Sequence, residues 1–96
     1  MMKALTAAEI EEFLRHCPKW RLQGGKLIRE WVFKDFLAAI AFVNRVAEVA
    51  EAAGHHPDID IRYNRVLLAM VSHDAGEITE RDTAMATRLT VDFADL

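Results

Sequence analysis

The stretch "EAAGHHPDIDIRYNRVLLAMV", residues 51 to 71, contains the changes of pattern that decide the fold of this chain. A helical pattern ends at Gly54, a residue suited to the left-handed conformation that closes many helices. Residues Asp58 to Tyr63 then alternate between polar and apolar side chains, which predicts a half-buried strand. Tyr63-Asn64-Arg65 predicts a turn, and the unbroken apolar run Val66 to Val71 predicts a central strand. The stretch is therefore expected to form the end of a helix followed by a β-hairpin.

The residues before this stretch predict a short helix and a first hairpin. Thr6 and Glu9 have the spacing of a capping box, and Pro18 stops the helix that follows them. Gly24-Gly25 predicts a hairpin turn whose second strand runs from Lys26 to Phe33.

A long helix is predicted from Lys34 to about Ala53. One stripe of this helix is apolar and consists of Phe36, Ile40, Val43, Ala47 and Ala50. In the N-terminal half the opposite side carries Leu37 and Ala41, so the helix is apolar nearly all round. A small domain has little material to cover such a surface. We therefore expect a homodimer or homotetramer that forms through the 34–53 helix and the sheet edges.

A second capping box and a final helix complete the chain. Thr79 and Asp82 have the capping spacing after a loop from His73 to Ile78. The helix that follows carries an apolar face made of Met85, Ala86, Leu89 and Phe93. The predicted order is αββαββα, which is an α+β fold in a single domain over residues 1–96. It has a four-stranded antiparallel sheet with helices packed on one face.

Composition and charge narrow the classes of partner. The 96 residues carry a net charge of −3, and the Lys and Arg residues are scattered along the chain. A duplex nucleic acid or an anionic membrane requires a basic face, so we expect neither as a partner. The single cysteine, Cys17, cannot form an internal disulfide, which fits a cytoplasmic protein.

Histidines at the ends of predicted elements are the candidates for chemistry. His55 and His56 follow the long helix, His73 follows the apolar strand, and such ends can meet at one edge of a sheet. Carboxylates lie nearby in the sequence: Glu51, Asp58, Asp74 and Asp82. These groups allow a metal site, metal-free acid–base catalysis, or a turn in which the histidines only make hydrogen bonds. The residue types alone leave the three uses open.

The order of these residues resembles the signature of a known family. Glu51-x-x-x-His55-His56-Pro57, followed by Tyr63, His73 and Asp82, is similar to the motif of the pterin-4a-carbinolamine dehydratases. Further similarities cover nearly the whole chain: Trp20, 33–36, Phe42, 45–47, 63–66, 72–74 and 80–82. The family fold has the same αββαββα order, which is consistent with the prediction above.

The resemblance implies a reaction and a set of site residues. Members dehydrate 4a-hydroxytetrahydropterin to the quinonoid dihydropterin, in tetrahydrobiopterin recycling for aromatic amino acid hydroxylation, without a metal or organic cofactor. It implies that His55 and His73 form an acid–base pair and that His56 binds and orients the pterin. The residues implied to line the substrate site are Glu51, Gly54, Val71, Ser72 and Asp74, together with the three histidines.

Other positions have more than one expected role. Asp82 belongs to the motif but also occupies the capping position, and Trp20 is expected either in the core or in the pocket wall. Gly54 stands where animal members of the family carry Asp, so a carboxylate contact is missing there. Animal members also bind and stabilise dimers of a homeodomain transcription factor. The alternative function is therefore a non-catalytic binding or dimerisation module that stabilises a protein partner.

Overall fold

The computed structural model describes residues 3–96, and its element order confirms the predicted αββαββα arrangement. The elements are α1 (Ala7–His16), β1 (Arg21–Gln23), β2 (Lys26–Val32), α2 (Phe36–Ala53), β3 (Asp58–Arg62), β4 (Arg65–Met70) and α3 (Glu80–Asp92). The observed bounds of β2, α2, β3 and β4 lie within two residues of the predicted ones.

Side-chain caps fix where the helices begin. Thr6 and Thr79 form the two predicted capping boxes, with Glu9 and Asp82 as the reciprocal acceptors. The Asp35 side chain accepts a hydrogen bond from the Ala38 N–H, so α2 begins at Phe36 instead of Lys34.

Gly54 ends α2 in the predicted left-handed conformation. Its φ is 66°, and its N–H donates to the carbonyls of Ala50 and Glu51. The chain leaves the helix sharply at this point and reaches the first residue of β3 within four positions. The two adjacent histidines lie in this short connection.

The sheet is antiparallel throughout, with the strand order β1-β2-β4-β3. Leu27 pairs with Met70, and Trp31 pairs with Val66, so these four side chains share one face. All four belong to a core cluster with residues of α2 and α3. The opposite face carries the Glu30–Arg65 ion pair. The helices therefore pack on one face of the sheet, as predicted.

Phe42 lies at the centre of the core. Its ring centroid is 4.8 Å from that of Trp31, 5.1 Å from Phe33 and 5.0 Å from Phe93. The buried stripe of α2 consists of Ala39, Phe42, Val46 and Ala50. The stripe that began at Phe36 is not the buried one, because only Ala50 is common to both. Phe36 and Leu37 are instead 47% and 78% exposed.

Tyr63 is a second position where the structure differs from the prediction, because it does not continue the strand alternation. It has a φ of 53° in the turn between β3 and β4, and 66% of its surface is exposed. The alternation therefore extends only to Arg62, where β3 ends.

No helix in the described part of the chain is long and apolar enough to cross a membrane.

Candidate functional site

His55 is held by a buried carboxylate. Its Nε2 lies 2.7 Å from Oδ1 of Asp82, a residue of the first turn of α3. The His55 side chain is 12% exposed and that of Asp82 is 0% exposed. This contact joins the α2–β3 connection to the start of α3.

The second oxygen of Asp82 binds two further groups. Oδ2 accepts hydrogen bonds from the Thr79 backbone N–H and from the Ser72 hydroxyl, both at 2.9 Å. The Ser72 and Thr79 hydroxyl oxygens are 2.7 Å apart. Ser72 follows β4, so the network formed by His55, Ser72, Thr79 and Asp82 links three separate segments. We call these four residues the Asp82 network.

The Asp82 network assigns the proton on the His55 ring. An ionised carboxylate has no hydrogen to give, and Oδ2 already accepts from two donors. The remaining oxygen therefore accepts from His55, which places the shared hydrogen on Nε2. Within residues 3–96 the His55 Nδ1 atom has no hydrogen-bond partner, so this nitrogen is free to exchange a proton with a bound molecule.

His56 points to a different carboxylate. Its Nε2 lies 2.8 Å from Oε2 of Glu51, a residue of the last turn of α2. Both side chains are exposed, at 63% and 82%. This contact orients the His56 ring only weakly, because solvent screens an exposed pair.

His73 contacts the start of β3. Its Nε2 is 3.3 Å from Oδ1 of Asp58, while Oδ2 of Asp58 accepts a 3.0 Å hydrogen bond from Lys26. The Lys26 ammonium is the main reason that the pKa of Asp58 lies below its ordinary value, and His73 adds to the effect. Asp58 comes two residues after His56, so the contact brings His73 beside the segment that carries the other two histidines.

The remaining predicted residues surround this corner of the sheet. Asp74 is exposed and pairs with Arg81, whose guanidinium holds the pKa of the carboxyl below its usual range. Ser72 is fully buried within the Asp82 network, and Val71 is 9% exposed. A Cβ atom added at Gly54 would meet open space.

A cavity of about 280 Å³ adjoins His55. Arg81 also lines it, and the buried Nε of Arg81 has no hydrogen-bond partner among the described residues. Across residues 3–96, no three His, Cys, Asp or Glu side chains group closely enough to hold a metal ion. His16 takes no part in this region, because its Nδ1 contacts the Glu12 carbonyl within α1.

Sequence reasoning missed Lys26 and Arg81 as neighbours of these groups. Lys26 reaches Asp58 across β4, and only the register of three strands brings the two residues together. Arg81 follows the predicted cap, where its helical position gives no indication of the contact with Asp74. Trp20 is a core residue, 2% exposed, with its indole N–H donating to Thr90.

Comparisons with known proteins agree with the family resemblance and with the fold. The family model described as pterin 4 alpha carbinolamine dehydratase matches residues 3–91. A protein of Acidobacterium capsulatum, provisionally named a pterin-4-alpha-carbinolamine dehydratase, is 59% identical over 88 residues, which are 92% of this chain and 96% of the relative. A Thermomicrobium roseum protein with the same provisional name is 57% identical over 92% of this chain and 95% of its own.

Two solved structures are also similar. The transcriptional coactivator/pterin dehydratase from Brucella melitensis has a TM-score of 0.85 and 34% identity, with 93% of this chain and 97% of that chain covered. A pterin dehydratase-like protein identified as a RuBisCO assembly factor in the alpha-carboxysome has a TM-score of 0.63 and 26% identity. That match covers 76% of this chain and 87% of the other.

The Asp82 network predicts a large difference between two aspartates of the same region. Asp82→Asn is expected to lower the free energy of unfolding by about 1–3 kcal/mol, because buried donors lose a charged acceptor. Asp74→Asn changes an exposed pair and is expected to leave the urea midpoint nearly unchanged. Equal midpoints for the two variants in urea unfolding would show that the network does not stabilise the fold.

The Lys26–Asp58 contact predicts a pH dependence. Because the folded-state pKa of Asp58 is lowered, its contribution to stability is present above the unfolded-state value of about 3.9 and is lost as the pH falls through the folded-state value. Lys26→Met should raise the pKa of Asp58 toward its ordinary value in a carboxyl NMR titration. Lys34→Met, which removes an exposed lysine beside the Asp35 cap, is the control and should leave Asp58 unchanged. A shift of equal size in both variants would contradict the assignment.

Proposed function

Because the chain belongs to the pterin-4a-carbinolamine dehydratase family, we propose that it dehydrates 4a-hydroxytetrahydropterin to quinonoid dihydropterin and water. The physiological setting that we propose is tetrahydrobiopterin recycling for aromatic amino acid hydroxylation. The observation that carries the proposal is the set of three histidines, each beside its own carboxylate, at one corner of the sheet.

The reaction requires two proton transfers. The C4a–O bond breaks, and the departing oxygen takes the bonding electrons and a proton to leave as water. The ring nitrogen beside C4a loses its proton, and its electrons form the new C=N bond. No electron is gained or lost overall, so the reaction requires no redox cofactor. In the proposed mechanism the histidines carry both proton transfers, and neither a metal nor an organic cofactor takes part.

His55 and His73 are the acid–base pair in this proposal. Asp82 accepts the Nε2 hydrogen of His55, which leaves the lone pair of Nδ1 available to remove the proton from the ring nitrogen. His73 gives a proton to the departing hydroxyl, with Asp58 holding its ring. An imidazole suits both steps because its ordinary pKa lies near physiological pH.

His56 and the neighbouring residues bind the pterin. His56 and Glu51 form an exposed pair that can turn toward the polar edge of the ring system. Val71 offers backbone and apolar contacts, and Asp74 lies on the adjacent loop. Gly54 leaves open space beside the histidines. Ser72 contributes through the Asp82 network, since its hydroxyl is fully buried there.

Self-association through α2 is a further part of the proposal. Phe36 and Leu37 are exposed near the N-terminus of that helix, although both are large and apolar. A homodimer or homotetramer that covers this face would remove the apolar surface from water.

A cytoplasmic location, suggested by the single cysteine, stays a prediction.

The second candidate function is a non-catalytic module that stabilises a protein partner. Two observations favour it: the solved relative identified as a RuBisCO assembly factor, and the exposed apolar surface at Phe36 and Leu37. The two functions use different parts of the chain. Variants of the histidines and of Leu37 therefore separate them.

A dehydration assay tests the main proposal. The purified chain is given freshly generated 4a-hydroxytetrahydropterin, and formation of the quinonoid product is followed by absorbance. We expect His55→Ala and His73→Ala each to lower kcat by roughly 10²–10⁴-fold, because each removes a general acid or base. His16→Gln is the matched control and should keep full activity, since His16 lies on α1 away from the site.

The same assay, together with a binding measurement, distinguishes the dehydratase from the non-catalytic module. No acceleration over the spontaneous reaction by the folded wild-type chain would overturn the enzyme proposal. A wild-type chain that has no dehydratase activity but binds a protein partner, and that loses this partner in Leu37→Glu, would be an assembly module.

A further inference from the structure

Arg29 is a buried cation without an anionic partner. It lies on the helix-facing side of β2 and is only 4% exposed. Among residues 3–96 no carboxylate lies within ion-pair distance of it, and no hydrogen bond from its guanidinium is formed. Its guanidinium carbon lies 4.1 Å from the centroid of the Trp31 ring, a cation–π contact. Burial without a counter-charge lowers the pKa of Arg29.

The Arg29 side chain lines a cavity of about 200 Å³. The cavity lies between the end of α1, the start of β1 and the end of α3, and we call it the Arg29 pocket. Its walls include Cys17, Pro18 and Trp20, with Lys19 and Thr90 also in the lining. An unpaired charge is costly inside a protein, so a cavity that gives it access to a ligand or solvent has a physical reason to exist.

Two other polar groups of the Arg29 pocket, on Trp20 and Thr90, already have partners. The Trp20 indole N–H donates to the Thr90 hydroxyl at 2.9 Å, and that hydroxyl donates to the Ala86 carbonyl at 2.8 Å. Trp20 therefore offers only its ring to a ligand. What remains is one buried guanidinium in a largely apolar wall, with the exposed side chains of His16 and Lys19 also in the lining.

The Arg29 pocket is separate from the histidine site. Thr90 follows Asp82 by eight residues of α3, which corresponds to about 12 Å along the helix axis. The histidines lie at the N-terminal end of α3, whereas the Arg29 pocket lies at its C-terminal end.

We propose that the Arg29 pocket binds a small organic monocarboxylate, with the carboxylate on Arg29 and the apolar body against Trp20 and Pro18. A guanidinium binds a carboxylate through two parallel hydrogen bonds, and one negative charge balances the single buried positive charge. A cavity of about 150 Å³ is large enough for benzene, so this pocket has room for a ligand of the size of benzoate. Inorganic phosphate fits less well, because it carries more charge and has no apolar body.

Benzoate is the probe that tests the proposal, and Cys17 supplies the readout. Cys17 is the only cysteine of the chain and lines the pocket, so bound benzoate should slow its alkylation by iodoacetamide. We expect saturable protection with a dissociation constant in the millimolar range or below. Benzamide has the same shape without the charge, so its dissociation constant should be at least tenfold higher than that of benzoate. The dissociation constant of phosphate should be higher by at least the same factor.

Variants of two arginines complete the experiment. Arg29→Met keeps the bulk of the side chain without its charge and should weaken benzoate binding by about 10–100-fold, the effect of losing a charge-assisted hydrogen bond. Arg29→Lys keeps the charge without the planar fork, so it should weaken benzoate binding less than Arg29→Met does. It provides the test if Arg29→Met does not fold. Arg21→Gln is the control, because Arg21 is an exposed arginine on the neighbouring strand.

Four results would overturn the proposal, and three of them are comparisons. These are equal protection by benzoate and benzamide, tighter binding of phosphate than of benzoate, and unchanged benzoate binding in folded Arg29→Met or Arg29→Lys. Protection that fails to saturate at millimolar benzoate would have the same meaning.

Discussion

The carboxylate of Asp82 is fully buried, and the rest of the site depends on how its charge is satisfied. Taking a carboxylate out of water costs several kcal/mol unless hydrogen-bond donors surround it. Here the donors are the Thr79 N–H, the Ser72 hydroxyl and the His55 ring. These donors come from the start of α3, the end of β4 and the α2–β3 connection. The requirement for all three fixes the relative positions of those segments.

The histidine corner combines one rigid group with two exposed groups. His55 is mostly buried and bonded to a buried carboxylate, so its ring has little freedom. His56 and His73 are 63% and 67% exposed, and their carboxylate partners are also in contact with solvent. Exposed pairs are screened and weak, so these two rings can move when a ligand enters. In the proposed reaction, the fixed His55 ring takes the proton from the pterin. The mobile rings of His56 and His73 adjust to the position of the bound pterin.

Local signals in the sequence were enough for the order and the ends of the elements. Capping boxes at Thr6 and Thr79 and the left-handed Gly54 depend on neighbouring residues, so the sequence predicts them directly. The buried stripe of α2 could not be predicted from its N-terminal half, because a helical segment that is apolar nearly all round gives no angular signal. The Lys26–Asp58 contact depends on the register of three strands. Whether a carboxylate lies near Arg29 is also decided by the tertiary fold, and among residues 3–96 none lies within ion-pair distance. The double role of Asp82 also requires the fold, since a capping residue and a histidine partner have the same local pattern.

The central claim is that Asp82 accepts a hydrogen bond from Nε2 of His55, so that the neutral form of the ring carries its hydrogen on Nε2 and leaves Nδ1 free. Long-range ¹H–¹⁵N correlation spectra of the imidazole rings, recorded at a pH high enough for the rings to be neutral, test it most directly, with His55→Gln used to assign the signal. We expect the His55 ring to show a protonated Nε2 and an unprotonated Nδ1, and Asp82→Asn to abolish this single form. A His55 ring that carries its hydrogen on Nδ1, or that exchanges equally between the two forms in the wild-type chain, would contradict the account.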